Sequence, residues 1–202
     1  LTNIYLHKYV NKNTSKIYGF DQFYQIEKLK KINIKKKISK IVLSLGGTKN
    51  HINIKYILNS IHKYNKLLKI TVLIVNKEDF IFLRNNFKNN KNIKLIFRIK
   101  NVHKILQKSD LAIVSGGMSK YEVFLHCMPS LIFNINSLQK KINSNILNRK
   151  IAVTINSLEE FEKNFKIITK NYKLRKTLAM NCKILIKEYN ENLVYKKFKN
   201  LI

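Results

Sequence analysis

The chain of 202 residues is long enough for one domain with a sizeable core, or for one domain and an appendage. Its 40 basic residues against 11 acidic ones give a formal net charge of +29, a balance typical of nucleic-acid or anionic-membrane binding. The lysines, however, are scattered through every predicted helix and loop, and no aromatic-rich stacking motif accompanies the few arginines. With the excess of Lys, Asn and Ile, this scatter favours drift in an A/T-rich genome over nucleic-acid binding.

The two cysteines, Cys127 and Cys182, lie far apart without metal-type spacing, so we expect neither a disulfide framework nor a zinc site. No apolar run approaches the length of a membrane span, and no signal peptide is visible at the start. We therefore expect a cytoplasmic protein without a transmembrane segment. Because the chain begins with Leu1, we also expect it to be a processed, truncated or excerpted piece of something longer.

Residues 1–38 show no clear domain signature. A short strand is possible within 1–10, an irregular aromatic stretch includes Tyr18-Gly19-Phe20, and residues 28–40 form a lysine-rich connector. We interpret 1–38 as an N-terminal remnant and linker.

From residue 39 onward, strand-like and helix-like segments alternate, which is typical of a parallel sheet with crossover helices. Strands are predicted at 40–45, 70–75, 93–98, 111–115, 130–134 and 151–155. Helices are predicted around Ile54 to Ile61, Phe80 to Phe87, Val102 to Leu106, Leu138 to Leu147 and Leu158 to Thr169, from apolar residues spaced three and four apart. The sequence thus predicts a Rossmann-like, doubly wound α/β domain over 39–170, followed by one or two surface helices in 171–202.

The fourth predicted strand ends in a glycine turn, Gly116-Gly117, and a helix follows at once. Ser119 with Glu122 three residues later predicts a capping box at the start of that helix. The unpaired N–H groups of a helix start, approached across glycines, suit a phosphate. The pattern leaves a structural alternative open, in which Ser119 and Glu122 satisfy each other's backbone amides and the glycines only turn the chain.

A second glycine turn, Gly46-Gly47-Thr48, follows the first predicted strand. Because the carboxyl ends of parallel strands share one edge of a sheet, the two turns would face the same crevice. This pairing favours a phosphate-binding function over two unrelated turns.

The ordered segments 43–48, 110–122 and 128–132 together resemble the C-terminal half of GT-B nucleotide-sugar enzymes. The sequence looks most like the UDP-sugar hydrolase of pseudaminic acid synthesis and its spore-coat-polysaccharide-type relatives. The peptidoglycan N-acetylglucosaminyltransferase, a family 28 glycosyltransferase, is a more distant cousin. The resemblance extends over roughly residues 17 to 155.

The resemblance implies that this half binds a UDP-sugar. It implies that Glu122 accepts hydrogen bonds from the ribose, that main-chain atoms at Val102 read the uracil edge, and that Gln139 lies near the sugar. Backbone amides of the second glycine turn would bind the diphosphate. The implied substrate-binding residues are Gly46, Gly47, Thr48, Val102, Ser115, Gly116, Gly117, Met118, Ser119, Glu122 and Gln139.

Three positions depart from the family pattern. Lys49 stands where relatives commonly have Asp, Leu138 stands where they have Asn, and Met118 replaces a residue that is often small. A family-like asparagine near the first turn is either Asn50 or Asn53.

The resemblance places the catalytic histidine of the hydrolase group in the other half of the enzyme, and no histidine of this chain matches its motif. We therefore expect no catalytic residue, cofactor or metal ligand here, and expect a missing N-terminal domain to supply the base. His51, just after the first turn, is the one internal candidate and is interpreted as a solvent-exposed residue. The alternative functions are a UDP-sugar glycosyltransferase domain and a non-catalytic binding module.

Overall fold

The computed structural model describes residues 33–188. Expectations for most of the N-terminal remnant, including Tyr18-Gly19-Phe20, and for the last fourteen positions lie outside the described residues.

A single sheet of six parallel strands forms the centre of the fold, in the order β3-β2-β1-β4-β5-β6. The strands are β1 Lys40–Ser44, β2 Lys69–Ile74, β3 Ile93–Phe97, β4 Leu111–Ser115, β5 Ser130–Phe133 and β6 Val153–Ile155. All six predicted strands are confirmed to within two residues at each end. The chain winds outward from β1 to β3 and then returns to place β4 beside β1, so the strand order reverses between these two strands.

Eight helices connect and flank the strands within the described residues. They are α1 His51–Tyr64, α2 Lys77–Phe87, α3 His103–Leu106, α4 Ser119–Leu125, α5 Ser137–Ile142, α6 Ser144–Asn148, α7 Leu158–Lys170 and α8 Tyr172–Glu188. The single helix predicted from Leu138 to Leu147 is wrong, since α5 and α6 are separated at Asn143. The side-chain amide of Asn143 is buried and bonded to the end of β4, which holds this residue out of a continuous helix.

The helices cover both faces of the sheet. Alternate strand residues point to opposite sides, so Ile41 and Leu43 pack in a core with α1, α2 and α7, while Val42 packs with α3, α4 and α6. The last helix, α8, contributes Leu178 to the first core and Cys182 to the second. The confirmed architecture is therefore a Rossmann-like α/β fold with a parallel sheet between two layers of helices.

No helix between residues 33 and 188 is long and apolar enough to cross a membrane.

The segment that leads into β1 is held at the amino edge of the sheet by a buried carboxylate. Asp110, immediately before β4, accepts hydrogen bonds from the Ser39 N–H, the Ser39 hydroxyl and the Lys40 N–H, each at 2.9 Å. Lys35 Nζ lies 2.7 Å from the other carboxylate oxygen. Burial raises the pKa of Asp110, but the bonds from Lys35, Ser39 and Lys40 together outweigh it and leave the pKa lowered.

Arg175 of α8 reinforces the same segment from the other side. Its buried guanidinium donates to the carbonyls of Lys35 and Lys36 at 3.0 and 2.7 Å. It also donates at 2.7 Å to the carbonyls of Ile168 and Thr169, at the end of α7. One side chain thus joins the last two helices to the strand that starts the domain.

Replacing Asp110 by Asn should lower the free energy of unfolding by about 1–3 kcal/mol at neutral pH, because the hydrogen bonds to a charged acceptor are weakened. The lowered pKa means that the parent loses this stability as pH falls below the ordinary value of 3.8 and through the folded pKa. The mutant should show a smaller loss over the same acid range in denaturant titrations.

Lys35→Met is the matched control, since it removes only the exposed member of the cluster and should cost less than about 1 kcal/mol. Equal pH dependence in the parent and in Asp110→Asn would show that the carboxylate does not stabilise the fold in this way.

Candidate functional site at the reversal of strand order

The two glycine turns meet at the carboxyl edge of the sheet, where β1 and β4 lie side by side. Gly46 has a φ of +89°, a left-handed conformation that favours glycine. A β-carbon added to Gly46 would lie 3.4 Å from Ser115 Oγ, so the first turn packs directly on the end of β4. The structure therefore brings the two predicted turns together at one crevice.

The carbonyl of Gly116 is drawn into the protein by two donors. Lys120 Nζ donates to it at 2.8 Å and Asn143 Nδ2 at 3.1 Å. Lys120 Nζ also donates to Asn143 Oδ1 at 2.6 Å, and Asn143 Nδ2 donates to Asn134 Oδ1 at 2.7 Å. These three polar side chains are buried, and they hold the second glycine turn from beneath.

Gly116 has no room for a side chain. An added β-carbon would lie 2.6 Å from Asn134 Oδ1 and 3.0 Å from Gln139 Oε1, and it would also overlap the amide of Asn143. Glycine is required here because the amide network occupies the space beside the turn.

The second turn leaves backbone donors free at the crevice. The Gly116 N–H donates to the Phe133 carbonyl at 2.9 Å, so it is not available to a ligand. The role of this glycine is to leave space beside the turn, where it has no side chain. The N–H groups of Gly117, Met118 and Ser119 donate to no acceptor in the described part of the chain. Gly117 and Ser119 are half-buried and Met118 is exposed, which leaves three amides for a ligand.

The predicted capping box is wrong. Met118 occupies the N-cap position with φ −67° and ψ −32°, and its side chain makes no cap hydrogen bond. A capping side chain needs an extended N-cap, whereas this chain is already helical at Met118 and Ser119 is the first residue of α4. The helix is only seven residues long, so the free amides and the glycines, rather than a helix dipole, define the site.

Glu122 is free of the capping role and has no hydrogen-bond partner in the part of the chain that the structure describes. It lies half-buried in α4, and no group among residues 33–188 donates a hydrogen bond to its carboxylate. Burial raises its pKa above the usual value for a glutamate. A half-buried acceptor without donors is suited to the hydroxyl groups of a ligand.

Behind the first turn, a buried aspartate organises the start of α1. Asp79 accepts from the N–H groups of Asn50 and His51 at 2.9 and 3.2 Å, and it lies 2.9 Å from His51 Nδ1. The His51 side chain is only 18% exposed. The interpretation of His51 as a solvent-exposed histidine is therefore wrong, because the second helix carries a carboxylate that binds its ring. Thr48 is exposed, and its hydroxyl accepts from Asn50 Nδ2 at 2.9 Å.

The other two predicted site residues lie at different distances from the turns. Gln139, in α5, is fixed by the Ile135 N–H, which donates to its Oε1 at 3.0 Å. Its Nε2 would lie 3.8 Å from a β-carbon added to Gly117.

Val102 lies beyond β3 and packs against the core on the α4 side. The next residue, His103, lies 3.0 Å from the buried His126 ring at the end of α4. The structure thus brings Gln139 to the second turn and places Val102 on the α4 side of the sheet, next to a residue that contacts the end of α4.

Sequence reasoning missed Lys120, Asn134 and Asn143, which form the buried support of the site. Their residue types do not single them out, because Lys and Asn are abundant throughout and most of those that the structure describes are exposed. The one available signal is the position of Lys120 among the buried residues Tyr121, Val123 and Phe124 of a short helix.

No family model matches the sequence, and a comparison with curated proteins finds no match. Solved structures do share the fold. S. aureus TarM, in a complex that includes UDP, superposes with a TM-score of 0.63 at 16% identity over 86% of this chain and 38% of its own. MurG of Acinetobacter baumannii gives 0.57 at 11% identity over 81% and 51%. UDP-GlcNAc 2-epimerase of Neisseria meningitidis, bound to UDP-GlcNAc, gives 0.58 at 14% over 75% and 44%.

This chain shares the Rossmann-like fold of one part of each of these GT-B proteins. This chain spans between 38% and 51% of the length of these three proteins.

Gly116→Ala should lower the free energy of unfolding by about 1–3 kcal/mol, because the new methyl group must displace the buried amides of Asn134 and Asn143. Gly47→Ala is the matched control. Its added β-carbon would meet only Val75 Cγ1 at 3.8 Å, an ordinary contact, so its stability should change little. Denaturant titration of both variants measures the difference, and similar costs in the two would contradict the steric account.

Proposed function

We propose that this chain is the nucleotide-binding half of a GT-B nucleotide-sugar enzyme and that its ligand is a UDP-sugar. One observation carries the proposal. At the reversal of strand order, the second glycine turn presents three amides and a half-buried carboxylate that have no hydrogen-bond partner among residues 33–188, and the first turn lies beside it. Amides approached across glycine suit a diphosphate, and a lone carboxylate suits a pair of ribose hydroxyls. A nucleoside diphosphate is a common ligand that needs both.

In this arrangement the diphosphate lies over Gly117, Met118 and Ser119, with residues 46–48 forming the facing side of the crevice. Glu122 accepts from the ribose hydroxyls, and Gln139 directs its amide toward the sugar. The backbone at Val102 reads the base at the edge of the crevice. The UDP named in the TarM complex and the UDP-GlcNAc named in the epimerase complex support this choice of ligand.

As the specific reaction we propose hydrolysis, which follows the sequence resemblance to the hydrolase of pseudaminic acid and surface-polysaccharide sugar synthesis. Water attacks the anomeric carbon, the bond from that carbon to the β-phosphate oxygen breaks, and UDP leaves with the electron pair. The amides of the second turn stabilise the charge that develops on the diphosphate. A base outside residues 33–188 takes the proton of the attacking water.

The alternative reaction is glycosyl transfer, in which an acceptor hydroxyl replaces water at the same anomeric carbon. TarM and MurG share this fold and support that alternative. Product analysis with the complete enzyme distinguishes the two, because hydrolysis yields a free sugar and transfer yields a glycoside.

The purified chain should bind UDP weakly, because it offers the phosphate and ribose contacts of one wall of a crevice. Glu122→Gln should weaken binding by about 1–3 kcal/mol, since it keeps the side-chain volume but removes a charged acceptor. Isothermal titration calorimetry measures both values.

Two controls make this test specific. Glu159→Gln, an exposed residue of α7, should leave the affinity unchanged. A UDP analogue without ribose hydroxyls should bind the parent and Glu122→Gln equally. Equal UDP affinity of parent and mutant would remove Glu122 from the ribose role.

The chain alone should release no UDP from UDP-sugars, because the base is assigned to another domain. His51 is already bonded to Asp79 and packs on the Phe82 ring at 4.5 Å, an arrangement that stabilises the start of α1. The measurement is UDP release from a panel of UDP-sugars. Release above background that disappears in His51→Ala would show that this chain carries its own base.

A further inference from the structure

The buried ammonium of Lys120 lies directly beneath the second glycine turn. Its side chain is 4% exposed, and its Nζ donates to the Gly116 carbonyl and to Asn143 Oδ1 at 2.8 and 2.6 Å. The ammonium also lies 4.7 Å from the centre of the Tyr121 ring. A charged group removed from water in this way is costly unless it is bonded, so its place needs a reason.

The geometry of a peptide supplies that reason. The described residues contain no cis peptide bond, and in a trans peptide the carbonyl of one residue and the N–H of the next point in opposite directions. When Lys120 and Asn143 hold the Gly116 carbonyl inward, the Gly117 N–H is turned outward. The burial agrees, since Gly116 is buried and Gly117 is half-buried at the crevice.

A pair of glycines would not hold this orientation by itself. Glycine has access to left-handed and extended backbone conformations at little cost, so the Gly116–Gly117 peptide is free to rotate unless something fixes it. Two hydrogen bonds to one carbonyl, one of them from a charged donor, provide that restraint.

We propose that Lys120 is a positioning residue for the diphosphate: together with Asn143 it fixes the Gly116–Gly117 peptide so that the Gly117 N–H faces the phosphate. The proposal rests on the proposed function, because it assigns a role within the same UDP site. Lys120 itself does not touch the ligand. It acts through the backbone, and its positive charge lies behind the turn that receives the anion.

The protonation state of Lys120 gives this role a pH dependence. Burial lowers its pKa from 10.5 to about 8. The small cavity beside it is lined by residues of α4, α5, the Asn143 junction, α6, the loop before β6 and α8. Tyr121 is the one titratable neighbour among these lining residues. Glu122, on the same helix, has a pKa that burial raises above the usual value for a glutamate. Above the pKa of Lys120 the amine is neutral, so its hydrogen bonds weaken and the charge behind the turn is lost.

The test compares UDP with uridine, which lacks the phosphates. In Lys120→Met the affinity for UDP should fall by about tenfold or more, while the affinity for uridine stays within about twofold. Lys140→Met, which removes an exposed lysine of α5, is the matched control for diffuse charge and should leave the ratio of the two affinities unchanged. Calorimetric titration of each variant at pH 7 measures the ratio.

Three results would overturn the proposal. Equal losses for UDP and uridine would assign Lys120 a purely structural role, and unchanged UDP affinity would assign it no role in binding. A parent chain that binds neither ligand would refute the proposed function itself, and is thereby distinguishable from the other two.

A measurement on the parent chain covers the case in which Lys120→Met does not fold. The ratio of UDP to uridine affinity should fall several-fold as pH rises through about 8. Deprotonation of the uracil ring is shared by both ligands and cancels in the ratio. A ratio that stays flat across this pH range would overturn the proposal without any variant.

Discussion

The whole site depends on the reversal of strand order between β1 and β4. Because the chain leaves β1 in one direction and returns beside it for β4, the connections that follow these two strands diverge to opposite faces of the sheet. A crevice is left between them, and both glycine turns lie on its floor. This reversal places both the amides of the second turn and the lysine beneath them.

The crevice is supported by an unusually polar layer for the interior of an α/β domain. Lys120, Asn134 and Asn143 replace the apolar side chains that pack elsewhere against the carboxyl ends of the strands. Buried polar groups of this kind are tolerable only when they satisfy one another, and here a chain of amides, one ammonium and one carbonyl does so. The same layer explains why the helix is interrupted between α5 and α6, since the Asn143 side chain is hydrogen-bonded within this polar network.

The sequence was sufficient to predict the sheet but not the contacts that form the site. Strands and long helices follow from apolar periodicity, and the runs at 111–115 and the stripe at Ile54, Ile57 and Leu58 carry that signal strongly. The glycine turns are visible for the same reason, as interruptions of that pattern. The predicted capping box is wrong because the spacing of Ser119 and Glu122 does not reveal that the backbone is already helical at Met118.

The contacts of Lys120, and of His51 with Asp79, were beyond sequence reasoning because they join residues that are distant in sequence or concealed by composition. Lys120 meets Asn143 across 23 positions, and His51 meets Asp79 across 28. In a chain with 40 basic residues, the local sequence does not distinguish a buried lysine from the exposed ones. Only the packing of helices on the sheet brings these groups together.

The clamp formed by Asp110 and Arg175 has a mechanical consequence. It fixes residues 35–40 at the amino edge of the sheet, whereas the glycine turns lie at the carboxyl edge, about 16 Å away along the five residues of β1. A force applied to the chain at residue 35 therefore passes to α8 through Arg175 and to the sheet through Asp110 at the same time, rather than to β1 alone.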